Sequence, residues 1–202
     1  MNIMASRTAL MLDFDGVLLR NRRVQKFIGH KCTEYLAKKT GKSFQEAKRV
    51  NDARYPIHGH TAFVLERDFG VSVPPKQFNA DVYGNLDYDR VRAMLTERDV
   101  AYAKDFLNIW NVDKTNSFVF TNAPRSWVLE LNKVLRMPFD DYRILGSDVL
   151  GHFKPDPKAY AEAEFFVRLV LPHASTLCLV DDNVENVKVA MVLPRWTGTY
   201  FS

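Results

Sequence analysis

Cysteine is scarce. The 202 residues hold two, Cys32 and Cys178, too few for a disulfide framework, so reduced thiols in a cytoplasmic setting are the expected state. Long apolar runs are lacking as well. None approaches the ~18 residues a membrane helix needs, so no membrane partner is expected. The N-terminal apolar run is broken by Asp13 and Asp15, and no signal peptide is expected. Internal repeats, low-complexity tracts and Gly/Ser linkers are absent from the sequence. Such a length suits one domain with a real core, or a core carrying a smaller inserted module. Charge of one sign is only mildly in excess, 28 Lys and Arg against 24 Asp and Glu, net +4. The surplus begins with Arg20, Arg22, Arg23 and Lys26, where solvated helix faces account for it. No nucleic-acid partner is expected. Apolar residues, by contrast, make up 47%, with 14 Phe, 8 Tyr and 3 Trp, which excludes a disordered chain.

Short continuous apolar runs stand at TALML (8–12), SFVF (117–120) and TLCLV (176–180), bounded by polar or turn residues as buried parallel strands are. Segments of helical period lie between them. Val24, Phe27, Ile28, Cys32, Tyr35 and Leu36 share one helical face that Gly41 can end. Ser43 and Glu46 form a capping-box pattern, and Asp156-Pro157 reads as an N-cap followed by a first-turn proline. A long helical excursion over 20–105 thus follows the first strand, and strands then alternate with helices. This predicts an α/β fold with a parallel sheet between helices, whose ligands sit beyond the carboxyl ends of the strands.

The first strand is followed there by Asp13-Phe14-Asp15-Gly16, the second by Thr121-Asn122-Ala123, and the third by Asp181-Asp182-Asn183. Lys154 precedes the Pro155-Asp156-Pro157 helix start. Singly, each has an ordinary reading: an acidic pair as a turn or cap, Thr-Asn as a helix cap, a lysine as surface. Together they bring four carboxylates, a hydroxyl and an ammonium to one rim. Four such acids would repel each other without a counter-ion. A hard divalent cation with oxygen ligands resolves the repulsion, and Mg²⁺ is the usual choice beside phosphate.

The segments DFDGVL (13–18), FTNAP (120–124), KPDPKAY (154–160) and LVDDNVEN (179–186) resemble motifs I to IV of the haloacid dehalogenase (HAD) superfamily, in the same order. The resemblance implies a Rossmann-like doubly wound core over 1–19 and 106–202, with an inserted helical C1 cap over 20–105. It implies Asp13 as the nucleophile that becomes an aspartyl-phosphate. Asp15 matches the general acid/base, whose backbone carbonyl is a metal ligand. Thr121 matches the hydroxyl that bonds the transferring phosphoryl group, and Asn122 stands beside it as a substrate contact. Lys154 matches the lysine that neutralises nucleophile and phosphate. Asp182 aligns with the direct Mg²⁺ ligand, supported by Asp181, and Asn186 takes the trailing position. An acid at position 15 is what dehalogenases lack, because expelling halide needs no proton and their reaction needs no Mg²⁺. The implied activity is therefore phosphoryl transfer.

Within the excursion, Tyr55-Pro-Ile-His-Gly-His-Thr61 and VYGNLDYD (82–89), with FTNA in motif II, resemble the pyrimidine 5′-nucleotidase-like branch. His58 stands where that branch has a second tyrosine. The implied substrate is a small phosphorylated metabolite, a nucleoside 5′-monophosphate foremost. Its base would stack on cap aromatics, with His58, His60 or Asn51 reading its polar edge. Tyr55, Phe63 and Tyr83 also fit a cap core. His58 and His60 read as a loop pair facing the active site rather than a transition-metal site, because acids and cysteines are not adjacent in sequence. The tail VKVAMVLPRWTGTYFS lacks the family's small-residue helix and terminal glycine, so a short or displaced final strand is expected. Two alternatives stand beside the phosphatase. One is a sugar-phosphate phosphomutase, which shares the motifs. The other is a non-catalytic phosphate-binding or signalling module, although a receiver domain draws its acids from different strands and has no large insertion. Monomer and homodimer are both open.

Overall fold

The structure is a computed structural model and describes residues 8–113 and 115–202. Residues 1–7, part of the expected first core segment, and Lys114 lie outside the described residues. The apolar runs form β1 (Thr8–Leu12), β2 (Ser117–Phe120) and β4 (Thr176–Asp181). The two-residue β3 (Ile144–Leu145) and β5 (Trp196–Tyr200) complete a sheet of order β3-β2-β1-β4-β5, parallel at every pairing. The helices are α1 (Arg22–Thr40), α2 (Phe44–His58), α3 (Thr61–Phe69), α4 (Pro75–Val82), α5 (Tyr88–Met94), α6 (Glu97–Ile109), α7 (Arg125–Leu135), α8 (Pro157–Val170) and α9 (Val184–Val192). Among the described residues, no helix is long and apolar enough to cross a membrane.

Two compact units divide the chain: residues up to Arg20 with Thr96–Ser202, and Asn21–Leu95. The sheet belongs to the first unit. Residues 96–105, which helical texture assigns to the insertion, lie in this unit too. The reason is packing: Tyr102 donates its hydroxyl to the Val17 carbonyl at 2.8 Å. Phe106 on the same helix meets Phe201 with ring centroids 5.4 Å apart. A chain of aromatics fastens β5, where Trp196 packs on Tyr160 at 5.1 Å and Tyr160 on Phe120 at 5.4 Å. Burying rings of this size stabilises by about 1.5–3 kcal/mol each. The final strand is therefore neither short nor displaced, and it pairs with β4 over five residues. Gly198 rests against Val187 and Ala190 of α9, a close contact that leaves no room for a side chain.

In the second unit α1 ends at Gly41 in the left-handed region, φ +69°. Val24, Cys32 and Leu36 of the expected face are buried. Ser43 caps α2 by accepting from the Glu46 N–H at 3.2 Å. Asn21 caps α1 through Oδ1, and its Nδ2 donates to the Met94 carbonyl at 3.1 Å, tying together the two ends of the unit.

Candidate active site

A parallel sheet presents all its strand carboxyl ends on one edge, and β1 lies between β2 and β4. Asp13 directly follows β1, with its N–H bonded to the Val180 carbonyl at 2.9 Å. Thr121 follows β2, while Asp181 closes β4 with Asp182 next in the chain. Lys154 arrives from the segment that leads into α8. The topology, with no further device, gathers these motif residues.

The Lys154 ammonium is the hub. It is 1% exposed and donates to Asp13 Oδ1 at 3.0 Å and Asp181 Oδ2 at 2.5 Å. It also lies 5.0 Å from the centre of the Phe120 ring. Burial alone would lower its pKa, yet the charges of Asp13 and Asp181 outweigh burial and hold it above the usual lysine value. Asp181 has no capacity left for substrate. Its oxygens accept from Lys154, from the Asn186 Nδ2, which donates to both of them at 3.0 Å, and from the Asn183 N–H at 2.8 Å. Its work is to anchor the lysine. Asn122 likewise faces the protein: its Nδ2 donates to the Lys154 carbonyl at 2.8 Å, and its Oδ1 accepts the Lys154 N–H at 2.9 Å. The expected substrate contact is in fact a clamp on the lysine backbone. Thr121, 3% exposed, accepts the Ala123 N–H on Oγ1 at 3.1 Å, which leaves its hydroxyl proton to donate.

Asp15 is held by a residue that sequence reasoning missed. Trp127 Nε1 donates to both carboxylate oxygens, at 3.2 Å each. Burial raises the Asp15 carboxyl to about 7, although the indole bond pulls the other way. The available signal was general: a buried tryptophan finds a partner for its N–H, and Trp127 is the third residue of the helix that follows β2. Burial also pushes Asp13 well above the usual carboxylate range, against the pull of Lys154 and with Asp181, Asp182 and Asp15 adding to it. Partial desolvation and the Asp181 charge lift Asp182 to about 6. Gly16 sits between, at φ +99°, and a Cβ there would overlap the Asp182 carboxylate.

Asp13, Asp181 and Asp182 each offer an oxygen within 4.8 Å of the others. Asp181 spends its oxygens on Lys154, Asn183 and Asn186, so Asp13 and Asp182 are the carboxylates open to a ligand, and with the Asp181 charge beside them they make an under-neutralised oxygen donor set that fits a hard divalent cation. Asn186, whose Nδ2 donates to Asp181, has its Oδ1 buried without a hydrogen-bond partner, an acceptor that fits a hydrated cation in this set.

The expected histidine pair stands at the junction of α2 and α3 in the second unit. His58 is the last residue of α2, and its Nδ1 accepts from Arg67 at 3.2 Å while Nε2 donates to Asp68 at 3.0 Å. His60 is 4% exposed and caps α3, with Nδ1 accepting the Ala62 N–H at 3.1 Å and Nε2 donating to Asn79 at 3.2 Å. Both rings have their nitrogens committed within the second unit. Of the cap aromatics, Tyr83 is buried and Tyr55 is exposed.

No protein-family profile matches the chain, and no curated protein matches it. Among solved structures, a defluorinating L-2-haloacid dehalogenase is similar in fold. Its TM-score is 0.50 at 18% identity, covering 96% of this chain and 80% of that one. A haloacid dehalogenase-like hydrolase from Bacteroides fragilis matches with a TM-score of 0.41 at 14% identity, covering 92% and 82%. With its parallel sheet and strand order, the chain has the haloacid dehalogenase-like hydrolase fold.

Proposed function

Proceeding from that fold, we propose that the protein is a Mg²⁺-dependent phosphatase of small phosphomonoesters, nucleoside 5′-monophosphates foremost, working through an aspartyl-phosphate. The observation that carries the reading is Asp15, a carboxyl near neutrality two residues from the nucleophile and oriented by Trp127. An alkoxide leaving group needs a proton, whereas a halide does not.

Asp13, Asp182 and the Asp15 carbonyl would hold Mg²⁺, which when bound neutralises the ester and lets an anion approach it. An Asp13 oxygen bonds to phosphorus as the ester P–O bond breaks, and Asp15 gives its proton to the leaving oxygen. Water then attacks the phosphorus and yields a proton to Asp15. The bond between Asp13 and phosphorus breaks, releasing phosphate and restoring the carboxylate. A value of about 7 lets Asp15 serve in both directions. Thr121 donates its hydroxyl to a phosphoryl oxygen, and Lys154 offsets charge on nucleophile and phosphate. Two free cysteines among the described residues, Cys32 and Cys178, support a reducing, cytoplasmic setting.

The test is phosphate release from p-nitrophenyl phosphate and a nucleotide panel, with Mg²⁺ and with EDTA, beside halide release from 2-haloacids. Mg²⁺-dependent release that is lost in Asp13→Asn supports the reading. Activity that persists in EDTA or in Asp13→Asn, or halide release without phosphate release, overturns it. Movement of phosphate between sugar hydroxyls with little release to water would replace it with a mutase.

A further inference from the structure

Lys154 stands in a stretch with no helix or strand, between β3 and the Asp156 cap of α8. A long side chain is placed only as well as the backbone that carries it. Asn122 holds the Lys154 N–H and carbonyl. The stretch just before the lysine is held by a different residue, Glu162.

Glu162 lies on α8, ten residues beyond His152. Helical side chains lean back towards the N-terminus of their helix, and this one reaches the chain upstream of α8. Its Oε2 accepts the Gly151 N–H at 2.8 Å and the His152 N–H at 3.1 Å, and its Oε1 meets His152 Nδ1 at 2.6 Å. Burial pushes the Glu162 carboxyl up, yet these bonds hold it below the usual glutamate value. Gly151 permits the close approach: a Cβ there would stand 3.1 Å from Glu162 Oε1. The ordinary use of a helical surface glutamate is an ion pair one turn away. Lys158 occupies that place, yet Glu162 spends its carboxylate on the loop.

We propose that Glu162 is a positioning residue for Lys154. Its carboxylate fastens the Gly151–His152 bend to α8, Asn122 holds the lysine's own backbone, and these two anchors deliver the ammonium to Asp13 and Asp181. Glu162 acts through the lysine and not on the substrate. The inference rests on the reading of Lys154 as the group that offsets charge on nucleophile and phosphate.

Two readouts on the full chain test it, one of them independent of turnover. In brief acetylation with an N-hydroxysuccinimide ester followed by peptide mass mapping, Lys154 should react about tenfold faster in Glu162→Ala than in the unmutated protein, while Lys133 keeps its rate. With p-nitrophenyl phosphate and Mg²⁺, kcat of Glu162→Ala should fall about tenfold and KM should change little, because the lysine answers charge that develops in the transition state. Glu162→Gln can accept both backbone N–H groups on one oxygen and turn its amide to the imidazole. It should therefore restore the protection of Lys154 and most of kcat. Gly151 is exposed and His152 half-buried, so water can replace the lost bonds, and the melting midpoint of Glu162→Ala should drop by no more than about 4 °C. If that variant does not fold, Glu162→Asp, which keeps the charge and shortens the reach, is read in its place. The proposal is overturned if Lys154 stays protected, if glutamine restores neither readout, or if every lysine labels faster together, as general loosening would give. No phosphate release from any of these proteins, with Lys154 uncovered only in Glu162→Ala, refutes the phosphatase and leaves the anchoring of the lysine standing.

Discussion

Replacing Lys154 by methionine keeps the volume and removes the charge, and the geometry says what should follow. The ammonium is 1% exposed and is the shared counter-charge of Asp13 and Asp181. Deleting one partner of a buried ion pair costs about 3–5 kcal/mol, because the remaining charge is stranded. At roughly 2–4 °C per kcal/mol for a chain of this size, the melting midpoint should drop by about 10 °C. The loss also carries a pH signature. The Asp13 carboxyl is raised in the folded state, so its contribution is present below the unfolded carboxylate value and is lost as pH rises through the folded one. Removing Lys154 takes away the charge that restrains this rise. A raised Asp13 carboxyl takes up a proton more readily as pH falls, so the deficit should be smaller at pH 5 than at pH 8. Scanning calorimetry of Lys154→Met at the two pH values reads it directly. Adding Asp181→Asn should recover a good part of the loss. An equal deficit at both pH values, or a double variant no more stable than the single, refutes the reasoning.

Trp127→Phe removes the N–H that favours ionised Asp15. A hydrogen bond to a charged group is worth about 1.5–3 kcal/mol, so the limb of the pH–rate profile governed by Asp15 should move about 1–2 units upward from neutrality, and an unmoved limb would deny the indole this role. Gly16→Ala should abolish Mg²⁺-dependent turnover, because the new methyl overlaps the Asp182 carboxylate; undiminished activity at ordinary Mg²⁺ counts against Asp182 as a ligand. His60 is neutral when buried, its pKa lowered by desolvation to about 4. The stability it leaves intact above pH 6.5 should decline by about 3 kcal/mol as pH falls towards 4, and urea unfolding of His60→Gln should show a flatter acid dependence than the unmutated chain.

Much of the architecture is legible in local pattern, and the remainder is not for identifiable reasons. β1, β2 and β4 are continuous apolar runs because both faces of a central parallel strand are covered. β3 has only two residues and leaves no pattern. β5 is held by Trp196 meeting Tyr160 and Phe120, contacts between residues far apart in sequence. The gathering of Asp13, Thr121, Lys154 and Asp181 follows from strand polarity, which spacing reveals. The division of labour within the rim does not. That Asp181 is saturated, Asn122 clamps a backbone and Asp15 leans on an indole depends on counting hydrogen-bond partners in three dimensions. His60 misleads because a buried helix cap and a ligand-facing imidazole look alike in a string of letters.

The knot between Asn21 and Met94 bears on how such a protein can change. Since the insert closes on itself where it leaves and rejoins the sheet-bearing part, its 75 residues (Asn21–Leu95) behave as a cassette. A different helical module, or a short turn, could be grafted between Arg20 and Thr96 without disturbing strand pairing. The sheet and the acidic rim lie in the other unit and would keep their own contacts.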